Sequence, residues 1–352
     1  IGLVHLSRGE YAKALDSYKN SLDILKQIGD RSGESITLVN IGVANLYLGE
    51  YVNALDYYQQ ALVIAKQIGD KAVEFTFLYI IGLLYGILDV YASALDYYQQ
   101  SLVIAKQIGN KQIEGSTLNN IGAAYNRLRE YKKALNYSRQ ALAIIKQIGD
   151  KSGESTNLNN IGNIYHSLEE YHKALDYYQQ ALAIHKKVGN KAKEGRTLNN
   201  IGSLYNTIGK YPEAEKTLFA AINILEFLRP GFTDNQKISI FETQANTYHH
   251  LQTTLIAQNK TNKALEISER SKARALVELL SSKYNSNKQP NIKPPNIKQI
   301  KQIAQQQKAT FVEYSVIGES QLYIWVIKPT GEVTFKQVDI KSLDTPLTEL
   351  VK

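Results

Sequence analysis

Residues 151–190 read KSGESTNLNN IGNIYHSLEE YHKALDYYQQ ALAIHKKVGN. Leu158, Ile161, Gly162 and Tyr165 fall at i, i+3, i+4 and i+7, which gathers them on one helix face. Ala174, Leu175, Tyr178, Ala181 and Leu182 repeat that spacing, so the stretch predicts two helices, Lys151 to Leu168 and Tyr171 to Val188, joined by a turn at Glu169 and Glu170. Gly162 is expected to let the two backbones approach, and small Ala174 and Ala181 to face bulkier groups. Gly189 suits a left-handed helix end, and Asn190 can cap the next helix, as Gly69-Asp70 and Gly149-Asp150 do elsewhere. Glu194, like Glu34, Glu74, Glu114 and Glu154, falls in a first helical turn, where negative charge is favoured.

The pattern is copied along the chain. Ile-Gly recurs every forty residues at Ile1, Ile41, Ile81, Ile121, Ile161 and Ile201, with no insertion between copies. Such a register marks a solenoid, because a unit of this length cannot bury its apolar face alone and must stack on its neighbours. An elongated superhelix with an extended concave surface is expected.

Leu158, Ile161-Gly162, Tyr165, Ala174, Tyr178 and Ala181 resemble the tetratricopeptide repeat, and the match recurs across residues 1 to about 228. The usual unit is about 34 residues. These forty-residue copies, with a Gly-Asp/Asn-Lys-x-x-Glu connector, look like the longer variety found in kinesin light chains and Pins-type scaffolds, which bind extended peptides. The usual proline at the end of the second helix is absent. The resemblance implies an all-α, right-handed superhelical solenoid of helix hairpins. It also implies that the first helix of each pair lines the groove, through positions six and three before the Gly and one, four and five after it.

In the fourth to sixth copies those positions hold Ser116, Asn119, Ala123, Asn126 and Arg127; Thr156, Asn159, Asn163, His166 and Ser167; and Arg196, Asn199, Ser203, Asn206 and Thr207. This reads as a carboxamide ladder able to clamp a peptide backbone, since each Asn offers a donor and an acceptor. The second and third copies carry Ile36, Val39, Val43, Leu46 and Tyr47, then Thr76, Tyr79, Leu83, Gly86 and Ile87, an apolar shelf. The expected partner is a protein or extended peptide with hydrophobic anchors at one end and polar or acidic residues facing Arg127 and Arg196. Alternatives are a merely solvated Asn face, or a shelf covered by further repeats or by a second copy in a homo-oligomer. Asn120, Asn160 and Asn200 lie one position off the groove and are expected to bridge neighbouring repeats.

The solenoid is expected over residues 1–230. Residues 231–282 read as a degenerate capping hairpin, with one helix from about Asp234 to Asn259 and another from Thr261 to about Ser282. A basic, polar linker is expected over 283–308, most open between Ser281 and Pro295, with a short helix at Ile297 to Gln306. Strands are expected at Thr310 to Ile317, Gln321 to Ile327 and Glu332 to Val338, a β-meander within 309–352. Three strands alone are marginal, and Trp325 needs a covering layer, so the meander reads as the start of an α/β domain cut short.

The run Glu269-Arg270-Ser271-Lys272-Ala273-Arg274-Ala275-Leu276, followed by a polar linker and Phe311-Val312-Glu313-Tyr314, looks like bacterial tetratricopeptide proteins with a C-terminal CHAT domain. Those domains resemble caspases, which implies that the parent protein is a cysteine peptidase governed by its repeats, or a scaffold whose appended domain is inert. The family's catalytic His and Cys are expected beyond Lys352.

The chain contains no cysteine, which excludes disulfides, thiolate metal sites and a cysteine nucleophile within these residues. His166, His172, His185, His249 and His250 make no HExxH-type spacing, Gly318-Glu319-Ser320-Gln321 lacks the second glycine of a nucleophile elbow, and no phosphate loop occurs. No cofactor, metal or catalytic role is expected of this chain. Its carboxylates read as solvated groups at helix ends and exposed faces. The net charge of +8 sits largely in Lys283, Lys288, Lys293, Lys298, Lys301 and Lys308, so nucleic acid is not the expected partner. No apolar run is long enough for a membrane span, and a soluble, cytoplasmic chain is expected. Methionine is absent and the chain opens at Ile1 partway through a repeat, which suggests a piece of something longer.

Overall fold

The structure, a computed structural model, describes residues 1–228, 234–283, 294–318 and 320–342. Two compact units divide the chain, residues 1–190 and 191–352. The first is a solenoid of helix hairpins: α1 (Gly2–Ser7) with α2 (Tyr11–Ile28), α3 (Arg31–Tyr47) with α4 (Tyr51–Ile68), α5 (Lys71–Ile87) with α6 (Tyr91–Gln107), α7 (Lys111–Arg127) with α8 (Tyr131–Gln147), and α9 (Lys151–Ser167) with α10 (Tyr171–Lys187). The second holds α11 (Lys191–Thr207), α12 (Tyr211–Leu228), α13 (Asp234–Ala257), α14 (Thr261–Lys283), α15 (Ile297–Gln307) and the strands β1 (Phe311–Ile317), β2 (Gln321–Ile327) and β3 (Val333–Asp339).

Local chemistry sets the helix ends. Between hairpins, Gly29 and Gly69 take left-handed conformations, and Asp30, Asp70, Asn110 and Asp150 each accept a backbone N–H of the following helix. These caps satisfy donors that the first turn would otherwise leave unpaired. Within hairpins the left-handed residue is Gly49 after α3 but Asp89, Arg129 and Glu169 in the next three turns. Leu158, Ile161, Tyr165, Ala174, Tyr178 and Ala181 are buried, as the spacing predicts, whereas Leu175 and Leu182 of the same predicted face are only half-buried.

Gly162 serves a different purpose from the one expected of it. A Cβ there would stand 2.6 Å from the ring of Tyr178, so the glycine admits a tyrosine ring rather than the neighbouring backbone. Gly42 and Tyr58, and Gly82 and Tyr98, form the same lock. The first-turn glutamates are also not solvated: Glu34, Glu74, Glu114, Glu154 and Glu194 are buried, each ion-paired to the Arg or Lys three residues earlier at 2.6 to 2.8 Å. Each carboxylate is buried while its cationic partner stays exposed.

In the second unit, Ala214, Leu218 and Ile222 of α12 share one core with Tyr248, Leu251 and Leu255 of α13 and with Ala264 and Leu265 of α14. The sheet is antiparallel, ordered β1-β2-β3, with Glu313 opposite Trp325 and Trp325 opposite Phe335. Trp325 is fully buried, and its Nε1 donates to the Thr261 carbonyl at 3.0 Å. Its covering layer is therefore supplied within the chain, by α13, α14 and Ile300 and Ala304 of α15, where the sequence suggested that the cover was missing. A capping box, Asn296 with Gln299, starts α15. Most of the linker expected between Ser281 and Pro295 lies outside the described residues.

Candidate functional site

One concavity of the first unit is a cleft of about 550 Å³. It is lined by Gly86 of α5, Tyr91, Ala94 and Tyr98 of α6, Asn120, Ala123, Ala124, Asn126 and Arg127 of α7, and Asn160, Asn163, His166 and Ser167 of α9. Asn126, Arg127, Asn163 and His166 are thus brought together as the groove positions of adjacent first helices. Arg127 donates from Nε to the Tyr91 hydroxyl at 2.9 Å, lies over that ring at 5.6 Å and has Asp89 at 3.8 Å. Asn163 Oδ1 accepts from the Tyr178 hydroxyl at 2.7 Å, and burial pushes that phenol well above its ordinary pKa. His166 stands edge-on to Tyr171 at 5.9 Å, and burial lowers its pKa, so the ring is neutral at pH 7. Asn126 Oδ1 is buried and accepts no hydrogen bond.

The other amides of the ladder are differently employed. Asn119 is buried, and its Oδ1 accepts from Asn157 Nδ2 at 2.8 Å and from Asn160 Nδ2 at 3.0 Å, joining α7 to α9. Asn120 reaches back to the Tyr79 hydroxyl at 2.9 Å. Asn159 is half-buried on α9 and does not line the cleft. In the second unit, Asn199 Oδ1 meets the His250 ring at 3.0 Å, while Asn206 donates to the His250 carbonyl at 3.1 Å and accepts from the Thr254 hydroxyl at 2.7 Å. Both amides are committed to α13, which occupies the place expected for a ligand. Arg196 is exposed on α11. The reason is common to these cases: a polar side chain at the seam between stacked helices bonds the next helix before it can bond a ligand.

The apolar shelf also divides. Val39 lines a second hollow, about 500 Å³, with Ile36, Ile68, Val73 and Phe77. Val43 is half-buried against the first core, Tyr47 stacks on Tyr11 at 4.8 Å, and Tyr79 lies 6.0 Å from Tyr98. Leu83 alone of these five is exposed. Sequence reasoning missed Tyr91, Ala94 and Tyr98, which reach the cleft from a second helix. A signal was present: Tyr98 follows Gly82 by sixteen residues, as Tyr58 follows Gly42 and Tyr178 follows Gly162, whereas Ser138 follows Gly122.

Among the described residues no group of His, Cys, Asp and Glu is arranged to hold a metal, and no helix is long and apolar enough to cross a membrane. The chain is 28% identical to human tetratricopeptide repeat protein 28 over 129 residues, which is 36% of this chain and 5% of that protein. The apo form of RapI matches with a TM-score of 0.58 at 19% identity, covering 74% of this chain and 96% of RapI. NprR in complex with its cognate peptide NprX matches with a TM-score of 0.52 at 18% identity, covering 79% of each chain. The two structures share the hairpin fold at identities too low to carry function. The family model described as the tetratricopeptide repeat matches residues 1–67, 74–147 and 154–226, the same hairpins that build the cleft. With well over half of its length so matched, the chain belongs to the tetratricopeptide repeat family.

Proposed function

We propose that the cleft between α5, α7 and α9 captures an extended peptide segment of a partner protein, and that the chain acts as a recognition scaffold. The observation that carries this reading is a polar-walled cleft of about 550 Å³ lined by groove positions of adjacent first helices, among them Arg127, Asn163 and His166. Arg127 at the mouth keeps N–H groups beyond those facing Tyr91 and Asp89, which suit a peptide carbonyl or carboxylate. NprR, similar in fold, was solved with a cognate peptide, which supports the same use here. The test is a random peptide display library panned against the full chain and against Ala123→Phe, which fills the cleft. Peptides retained by the original chain and lost by at least tenfold in affinity from the variant support the reading. Peptides that ignore the substitution sink it.

Two finer readings follow. The run from Glu269 to Leu276 ties the last hairpin to its surroundings: Arg270 forks onto Glu226 at 2.9 and 2.7 Å, and Lys272 pairs with Glu313 of β1 at 2.6 Å. This junction supports a role as the regulatory part of a CHAT-family peptidase in a bacterial cytoplasm, the alternative being a scaffold with an inert appended domain. A His and a Cys on strands that follow this stretch in the parent sequence would favour the peptidase, and a parent lacking both would favour the scaffold. Self-association is the second reading of the surface, favoured by Ile36 at 61% exposure beside the apolar hollow. A sedimentation series in which Ile36→Ser removes a concentration-dependent dimer would establish it.

A further inference from the structure

We propose that β1 is latched to α14 by one shared proton, held between the carboxyls of Glu269 and Glu313, and that losing this proton as pH rises through neutrality loosens β1 from the last hairpin.

One turn of α14 converges on a single side chain of β1. Ser268 donates to Glu313 Oε1 at 2.8 Å, Lys272 pairs with the same oxygen at 2.6 Å, and Glu269 lies within hydrogen-bonding reach of the same carboxyl. Lys272 also donates to the Tyr314 carbonyl at 3.1 Å and stands over that ring at 5.0 Å. Two carboxyls therefore share one cation. Among the described residues Lys272 is the one cation that acts on Glu269. Neighbouring charges are spent elsewhere: Arg270 forks onto Glu226 of α12, which also accepts from the Tyr248 hydroxyl of α13, and Glu266 accepts from the Ile297 amide of α15. From β2, the residue opposite Glu313 is the uncharged Trp325. Two touching, partly buried carboxylates with one ammonium between them leave an anion uncompensated, so one carboxyl keeps its proton and donates it to the other. Burial, together with Glu313, accordingly raises the Glu269 pKa to about 7.

The strand is placed to respond locally. It lies at one edge of the described sheet, with Val312, Tyr314 and Val316 exposed, whereas Tyr323, Trp325 and Ile327 of β2 are buried and Trp325 donates to the Thr261 carbonyl. The core shared with α13, α14 and α15 thus holds β2, and β1 depends more on its ladder to β2 and on the polar contacts of Glu313. Once the proton leaves, the donor between the two carboxyls is gone and two anions face each other across the junction. Lys272 can offset only one of them. The latch is therefore closed in acid and opens toward alkaline pH, the direction that a raised carboxyl pKa requires.

The test is amide hydrogen exchange of the full chain from pH 5 to pH 8, corrected for intrinsic rates, beside NMR titration of the glutamate side-chain carbons. Protection across β1 is expected to fall at least tenfold over that range while α7 of the first unit stays within twofold, and Glu269 to titrate near pH 7. At pH 8 the β1 amides are expected to exchange with little dependence on sub-denaturing urea, the mark of a local opening. Glu269→Gln, which keeps a donor for Glu313 but has no proton to lose, is expected to abolish the fall. Glu313→Gln, which removes the repulsion and keeps an acceptor for Ser268 and Lys272, is expected to do the same and guards against misfolding of the first variant. A Glu269 midpoint near its ordinary 4.5, β1 protection that is flat with pH, or a fall that survives both substitutions overturns the proposal. Exchange of β1 that follows urea in step with α13 also overturns it, since the pH effect would then be global unfolding.

Discussion

At the scale of single residues, burial rather than identity decides what a carboxylate contributes. Glu114 and Glu130 both face a lysine three positions away, Lys111 and Lys133, yet Glu114 is buried and Glu130 exposed. Removing a buried partner strands or deletes a desolvated charge, whereas an exposed pair is worth about 0 to 1 kcal/mol. Lys111→Ala, which strands the buried Glu114 carboxylate, is therefore expected to destabilise by about 2 kcal/mol or more in urea melts, and Lys133→Ala, which leaves the exposed Glu130 in water, by under about 1 kcal/mol. Similar losses for both would show that burial has been misjudged as the deciding factor. Tyr178→Phe removes the donor to Asn163 Oδ1 and keeps the ring against Gly162, so a loss of about 1 kcal/mol is expected. The same dependence on surroundings made the asparagines hard to read. Asn119 and Asn126 occupy groove positions by spacing, but one is consumed by α9 and the other is among the residues that line the cleft.

At the scale of elements, each hairpin is a pair of helices with strong end signals. Asp150 caps α9 by accepting from Gly153 N at 2.9 Å, and Asp150→Ala is expected to cost about 1 kcal/mol, read as a lower melting temperature. Glu169 holds φ at 60° in the turn before α10, a conformation that favours glycine, which neighbouring turns use at Gly49 and Gly209. Glu169→Gly is expected to stabilise by up to about 1 kcal/mol, and a destabilised variant would mean that the side chain holds the turn. These signals lie within a few residues of each other, so helix limits were legible to within a residue or two. The strands were equally legible from alternation. The junction between β1 and α14 was not. There Ser268 donates to Glu313 Oε1 at 2.8 Å, Lys272 pairs with the same oxygen, and Glu269 has its pKa raised to about 7 by burial and by Glu313.

At the scale of the whole molecule, that junction makes stability depend on pH. Folding raises the Glu269 pKa from 4.5 to about 7, so the folded state holds its proton more tightly, and this contribution is complete below about pH 4.5 and lost as pH rises to about 7. Glu269→Gln, which keeps a neutral group facing Glu313 and Lys272, is expected to flatten the decline over that window and raise the melting temperature at pH 8. An unchanged pH profile would contradict the assignment. Trp325, the sole tryptophan, reports only on the second unit. Because each hairpin in a solenoid is stabilised chiefly by its neighbours, fluorescence and helical circular dichroism are expected to give separate urea transitions. The sequence by itself determined the hairpins, their forty-residue register and the helix and strand limits, because periodicity, caps and turn residues act over one or two helical turns. Only the tertiary structure decided which asparagines bond the next helix and which line the cleft, and that α13, α14 and α15 cover Trp325. The asparagine and tryptophan outcomes depend on residues some twenty-five to eighty positions apart meeting in space, and neither partner carries a local mark of the other.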